Sequence, residues 1–434
     1  MPELNFNMDY YINGIIRLGP FYLIVLAIST IFYLYHKQLN NGNFKSNLSN
    51  TSFSNYWWIF LFPIFIRTGL AFLSENNPDL NNYIIATELT YSGKLVYLHT
   101  KNFPYLPFYL PILWLCKYFS VLLSLPLYFT IKWPLIFIDI LMIYLMKKVL
   151  EYNRTYSDVR VIFIYSPLII LNSSVLAQID MIPVFFSFWA YYVLDRYPEK
   201  WKLSAFILGL GIFAKTFPIL LLPAFLVSFK KFNKQILFGL IAITPSILSI
   251  AFISIFAWKQ LIENVILYRG VLSGAWGIPG LIWVIDTVLI NFFQISKFEK
   301  LWKFFIDYGS WFMYLFIIMS YFTYFKKISL NNRIIITFLG FYAFSNTVMP
   351  NYTVWIIPFL LLSDFRRYAP GFLFFATIWT GIFVPVFQTD IFHLDKLRFA
   401  YPLVGAALWF YIIYCLIIIF RNISLKSNSL SLLD

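Results

Sequence analysis

Charge is what this chain has least of. Only 12% of its 434 residues are Asp, Glu, Lys or Arg, against 60% that are hydrophobic, and the mean hydropathy is +0.74. So few charges cannot cover the surface of a water-soluble globular domain, which this balance excludes. Cysteine is almost missing too. Cys116 and Cys415 both fall inside apolar runs, so neither a disulfide framework nor a thiolate metal site is expected. The three histidines are scattered without metal-ligand spacing, and no Walker loop, G-x-G-x-x-G turn or H-E-x-x-H helix occurs. Neither a metal nor a cofactor is therefore expected. Acids are fewer than bases, 19 against 33, giving a formal charge of +14. That excess lies in short loops between apolar runs, as the positive-inside bias predicts, and not on a soluble basic stripe. Nucleic acid is excluded as a partner; membrane lipids are expected.

What the chain does have is apolar runs of about 15 to 25 residues from end to end, long enough to cross a hydrocarbon core. Ten-residue alternation, the mark of a barrel, is absent. The reading is an all-α polytopic membrane protein, multi-pass in the cell (plasma) membrane. Residues 1–18 carry Glu3, Asp9 and one basic residue, Arg17, which does not read as a cleavable signal.

Loop charge assigns the sides. Residues 1–18 are placed outside, helix 19–35 leads in to a linker at 36–56 with Lys37 and Lys45, and helix 57–73 leads out. That delivers a mostly polar stretch, 74–107, to the external face. The loop 147–160, with Lys147, Lys148, Arg154 and Arg160, must then be inside, so only one of the runs 108–126 and 128–146 crosses fully. From 161 to 197 two short helices would carry Gln178 and Asp180 at their outer apex. Residues 203–228 repeat the layout around Lys215 and Pro218, with arms too short for a comfortable crossing. Helix 235–257, a surface-lying run at 279–293 and helices 308–325, 334–348, 353–363, 370–387 and 400–420 complete the chain, with Arg421 and Lys426 inside. This threading sends Asp79, Asp180, Lys215, Arg269, Asn351 and His393 toward the external side.

Ionisable residues at a membrane edge are functional candidates, because each is costly facing lipid. Asp79 sits in a connection long enough to fold over the bundle, where a carboxylate suits a general base. Equally, after Pro78 it reads as the cap of a helix beginning near Leu80. Asp180 is a binding candidate, or the N-cap of a helix starting at Met181, with Pro183 in its first turn. Lys215 is too deep to be a topology marker; it either snorkels or neutralises an anion. Arg269, in Tyr268-Arg269-Gly270, presents the planar fork of donors that suits phosphate, or is a membrane-surface arginine.

Several segments together have a familiar order: D-x-x-x-Y at Asp79 and Tyr83, G-x-x-x-Y at Gly93 and Tyr97, and P-Y-x-P at Pro104, Tyr105 and Pro107. SPLIILNSSVLAQID follows, ending on Asp180, then GLGIFAKTFPILLLP around Lys215, and late in the chain MPNYTVWIIP. This order resembles the GT-C superfamily of integral-membrane glycosyltransferases, especially its polyprenyl-phosphate-mannose-dependent branch. Members commonly read G-Q-x-D where this chain has Ala177-Gln178-Ile179-Asp180, and P-Q-Y-x-x-W-x-x-P where it has Pro350-Asn351-Tyr352, Trp355 and Pro358.

The resemblance implies a GT-C-like bundle of about 11 to 14 helices whose external first loop carries short interfacial helices. It divides the chain into an extra N-terminal transmembrane helix and linker at 1–56, a catalytic module at 57–365, and C-terminal transmembrane helices with a short tail at 366–434. It implies inverting transfer of a hexose, mannose first, from a polyprenyl- or dolichyl-phosphate sugar to an acceptor hydroxyl on a glycan, lipid or protein-linked acceptor, on the extracytoplasmic side. Asp79 would be the catalytic base. Glu75, Tyr83, Tyr105, Gln178, Asp180, Lys215, Arg269, Asn351 and Tyr352 would bind donor or substrate, with Lys215 and Arg269 toward the phosphate. Glu75 would have to serve as the second loop acid that some relatives carry.

The main rival is a polytopic lipid or solute transporter or flippase, for which no repeat relates the two halves. An acyl-type transferase would need a late polar loop, for which His393 between Asp390 and Asp395 is the one feature. A non-enzymatic scaffold leaves the acids and cations at one face without a role.

Overall fold

The structure is a computed structural model, and it describes residues 58–75, 77–153, 159–268, 276–293, 298–383 and 395–430. Among the described residues the chain is a succession of helices with no strand. In hydrocarbon a chain must satisfy its own backbone polar groups, and an apolar run does that as a helix. Among the described residues four helical stretches are long and apolar enough to cross a membrane: Leu127–Glu151, Phe232–Ile266, Glu299–Thr323 and Tyr401–Ser424. The protein is an all-α polytopic membrane protein. The expected helix 19–35 and linker 36–56 lie outside the described residues.

The polar stretch 74–107 is largely helical, with Pro78–Tyr91 and Val96–His99 following the Trp58–Leu73 helix. The first of these starts near Leu80, at Pro78, but Asp79 is not its cap. Asn77 is the N-cap, its Oδ1 accepting the Leu80 N–H at 2.7 Å, and Pro78 takes the first helical position, where no N–H is needed. Of the next two apolar runs, only Leu127–Glu151 is long enough to span, while Leu110–Leu122 is a shorter helix. Farther along, the expected 308–325 helix begins at Glu299 and runs 25 residues. Glu299, Lys300, Lys303 and Asp307, which read as a loop, are the exposed face of that helix's first half. The last helix is likewise longer than expected, Asp395–Leu430.

Two of four apolar clusters among the described residues hold most of the buried side chains. The larger joins residues from Met142 to Ile419. The smaller packs Leu80, Tyr83, Tyr97, Leu106 and Tyr109 of the outer stretch against Ala177, Ile179, Ala214, Ala257 and Leu261. This second core fixes the outer helices onto the bundle. Gly209 lets the Trp201–Ala214 helix lie against Phe232–Leu261: a Cβ there would stand 2.6 Å from the Ala242 carbonyl oxygen. The Phe232–Leu261 helix carries Pro245 inside, breaks helical geometry at Ala257 and ends in a π turn over Ile262–Ile266. The chain is thereby redirected at the Leu261 end.

Buried charges tie the first helix down. Arg67 and Asp139, each 1% exposed, pair at 3.1 Å, and Arg67 also donates to the Ile164 carbonyl at 2.7 Å. Lys132 is fully buried and donates to the Ala71 carbonyl at 3.1 Å and to Ser74 Oγ at 2.7 Å. It also donates to the Ser74 carbonyl. A cation thus sits on the carbonyl end of the Trp58–Leu73 helix, where the helix dipole favours it. Asp139→Ala should destabilise the protein by about 3–5 kcal/mol, because a buried guanidinium loses its counter-charge. Combining Arg67→Met with Asp139→Leu should restore most of that loss. Thermal unfolding in detergent checks both.

Candidate functional site

The site is assembled around an irregular stretch. After the short Pro167–Ile170 helix, the chain opens into a π turn over Leu171–Val175, closed by the Leu176 N–H on the Leu171 carbonyl at 2.8 Å. Ala177 then adopts a φ of +53, a left-handed conformation that a Cβ disfavours by roughly 1–2 kcal/mol. The Gln178 N–H returns to the Asn172 carbonyl at 2.9 Å, and the Met181–Arg196 helix follows. Residues 171–180 are buried throughout. Such strain persists only where the surroundings over-determine it.

What determines it is Asp180. Asp180 holds the N-cap position of the following helix, but its side chain accepts no helix N–H. Instead Oδ1 receives Lys215 Nζ at 2.8 Å and the Trp355 indole N–H at 2.7 Å, while Oδ2 receives Asn351 Nδ2 at 2.8 Å. The carboxylate is 0% exposed, and an unpaired one at that depth would cost several kcal/mol. Lys215 comes from the break between the Trp201–Ala214 helix and a 3-10 turn at Phe217–Leu221, closed by Pro218. Asn351 and Trp355 come from a 3-10 turn, Pro350–Ile356.

Asp79 joins this centre from the outer helix. Its Oδ2 accepts Gln178 Nε2 at 2.6 Å. Gln178 Oε1 accepts Asn351 Nδ2 at 3.1 Å, and the same Asn351 amide donates to Asp180. Asp79, Gln178, Asn351, Asp180 and Lys215 therefore form one hydrogen-bonded chain drawn from four separate segments. Two clips set its register. Asn77 Nδ2 donates to the Val175 carbonyl at 3.1 Å, while Asn172 Nδ2 donates to the Asn351 carbonyl at 3.3 Å.

Aromatic rings wall the cation. Lys215 Nζ lies 4.8 Å from the Tyr352 ring, 5.8 Å from Tyr105 and 5.9 Å from Trp355, within cation–π range. Trp355 stacks on Phe217 at 3.7 Å and on Tyr352 at 4.5 Å. The Tyr83 and Tyr105 hydroxyls are 3.2 Å apart, and the Tyr97 hydroxyl donates to the Tyr105 carbonyl at 2.7 Å. Burial pushes the Tyr83 and Tyr105 phenols well above their ordinary range, so both stay neutral. At the rim, burial and then the Asp79 charge raise Tyr268.

The structure thus brings together Asp79, Tyr83, Tyr105, Gln178, Asp180, Lys215, Asn351 and Tyr352. Glu75 is exposed and takes no part in this network. Arg269 and His393 lie outside the described residues. Sequence reading did not single out Asn77, Asn172, Tyr268 or the indole of Trp355 as site groups. For Asn77 the signal was present, in an Asn standing directly before Pro78. Among the described residues no three His, Cys, Asp or Glu side chains converge as a metal would require. No known protein family matches the chain, and no curated protein matches it.

Asn77→Asp should keep the cap on Leu80 but lose the donor to Val175. Hydrogen exchange is then expected to stay slow at the start of the Pro78–Tyr91 helix and to quicken across 171–178; unchanged protection there would remove Asn77 from the register. Ala177→Gly should leave thermal stability equal or higher, against the loss of about 1 kcal/mol that the same change brings in an ordinary helix.

Proposed function

We propose that this protein is an inverting, membrane-embedded glycosyltransferase that moves a hexose, mannose first, from a polyprenyl-phosphate sugar to an acceptor hydroxyl. The observation that carries the reading is the pairing of a half-buried carboxylate with a deep cation. Asp79, in the first turn of an outer helix, is held by Gln178, while Lys215 stands at the other end of the same hydrogen-bonded chain. In the reaction the acceptor oxygen forms its bond to the anomeric carbon as the bond to the phosphate oxygen breaks. The electron pair leaves with polyprenyl phosphate, and the acceptor proton goes to Asp79. Lys215 has three donors and gives Asp180 one, so the others can meet the phosphate as its charge develops.

Two further points support the family likeness. Ala177 occupies the position where that family commonly has glycine, and its φ of +53 is the conformation glycine favours. Asn351, Tyr352 and Trp355, the residues of the late motif, all turn toward Asp180 or Lys215. On this reading the site faces the extracytoplasmic side of the plasma membrane, and a glycan, lipid or protein-linked acceptor enters past Tyr268.

Purified protein in lipid vesicles, given radiolabelled polyprenyl-phosphate hexoses and detergent-extracted membrane acceptors, should release polyprenyl phosphate. Asp79→Asn should lower that release about 10²–10⁴-fold, while thermal stability holds because the amide oxygen still accepts from Gln178. Wild-type release by this variant would remove Asp79 from the chemistry. No release from any donor tried with the wild-type protein would overturn the transferase reading.

A further inference from the structure

The Trp58–Leu73 helix ends without the glycine that commonly closes a helix; Ser74, Glu75 and Asn76 follow it. Its last carbonyls are met instead by donors from one turn of another segment. The Tyr128 hydroxyl donates to the Phe72 carbonyl at 3.0 Å. Lys132, four residues on, donates to the Ala71 carbonyl at 3.1 Å, to the Ser74 carbonyl and to Ser74 Oγ at 2.7 Å. All three hydrogens of the ammonium are thereby used. Its side chain has no exposure, so it is open neither to lipid nor to a substrate. From this clamped end the chain lies along the irregular stretch that carries Gln178 and Asp180. Leu70, in the last turn of the helix, packs with Ile170, Leu171, Val175 and Leu176. The Ser74 hydroxyl is shared between the Leu70 carbonyl at 2.6 Å and the Ser174 carbonyl at 3.1 Å. Asn77 Nδ2 donates to the Val175 carbonyl at 3.1 Å, and Asp79 Oδ2 accepts Gln178 Nε2 at 2.6 Å. Residues 74, 77 and 79 thus meet 174, 175 and 178 in the same order.

We infer that Lys132 is a positioning residue for Asp79. It holds the end of the first helix at Ser74 and so sets the start of the contacts that deliver the carboxylate to Gln178. Water would satisfy the same carbonyls while leaving Ser74 free to turn. A buried ammonium with three acceptors fixed around it does not, and the helix dipole adds to its hold. Only two residues separate Ser74 from Asn77, so a shift at the first contact reaches the second and, through the first turn of the Pro78–Tyr91 helix, the third. Lys132 acts through Ser74 and takes no part in proton transfer. Its consequence for rate rests on the transferase reading; its consequence for the place of Asp79 does not.

The test treats full-length protein in lipid vesicles with a water-soluble carbodiimide and an amine, well below the unfolding temperature, and reads each carboxylate by peptide mass spectrometry. In the wild-type protein Asp79 should label slowly and Asp180 not at all. Lys132→Met and Ser74→Ala should each raise Asp79 labelling roughly fivefold while Asp180 stays protected. Thr68→Ala, which removes an exposed hydroxyl from the same helix, should change neither. Where Lys132→Met does not fold, Ser74→Ala decides. Wild-type labelling of Asp79 in a folded variant overturns the role, and so does a rise shared with Asp180, which marks general loosening. Given polyprenyl-phosphate hexoses, Ser74→Ala should release polyprenyl phosphate roughly tenfold more slowly, with an unchanged KM for the donor. Labelling needs no donor, so its outcome is separate from any failure of the transferase reading. An unchanged rate beside a raised Asp79 label would count against Asp79 as the base and leave its positioning by Lys132 standing.

Discussion

A carboxylate without access to water is the constraint around which this bundle is arranged. Asp180 is completely buried, and its charge is tolerable only because an ammonium, an indole N–H and an amide converge on its two oxygens. Those donors come from residues 215, 351 and 355, segments far apart in the chain. Each donor sits where a helix is interrupted, since a continuous helix would leave its backbone groups paired within itself and its side chains on the outside of a cylinder. The proline at each break is therefore not incidental. Pro218 and Pro350 stand at the first turns of short 3-10 segments, where a missing N–H costs nothing, and they hold Lys215 and Asn351 just ahead of or within the turn.

The same demand explains the strain at Ala177. To bring Asp180 to its three donors while Gln178 reaches outward to Asp79, the chain must widen through a π turn and then reverse its handedness at one residue. That residue is flanked by hydrogen bonds on both sides. Gln178 N–H is held by Asn172, and Asn172 is in turn held to Asn351. A roughly 1–2 kcal/mol local penalty is small against the cost of an uncompensated carboxylate in the interior, so the strained conformation is retained.

Much of this was legible in the residues, and where reading failed the reason is physical. The apolar runs announce helices because hydrocarbon permits little else, and the breaks near Asp180 and Lys215 are marked by polar residues and proline in the middle of apolar sequence. At Asp180 the local pattern, an acid before Met181 and Pro183, marks the N-cap position that it takes but not where its side chain goes; only residues 35 to 175 positions away reveal its partners. The start of the Glu299–Thr323 helix was missed because four charges in nine residues look like a loop until they are seen to share an exposed face. Arg67, Asp139 and Lys132 went unremarked since they are isolated charges in long apolar runs, Arg67 alone in one and the other two seven residues apart in the next. Yet a single ionisable residue in such a run demands a partner, and that signal was available.

Asp79 and Asp180 share one hydrogen-bonded chain and differ in what is left for them to do. Asp180 has its two oxygens filled by three donors and no exposure, so it cannot approach a substrate without breaking the centre. Asp79 is only partly buried, is carried on the first turn of the Pro78–Tyr91 helix, and accepts the Gln178 amide of the centre. Saturation by three donors fixes Asp180 as architecture. Gln178 lies between them and cannot move without disturbing both, so the geometry at Asp79 inherits the rigidity of the buried pair. A carboxylate on such a connection would otherwise be placed only as well as that connection is ordered. Here it is placed by the interior, through Gln178 on one side and the Asn77 clip to Val175 on the other.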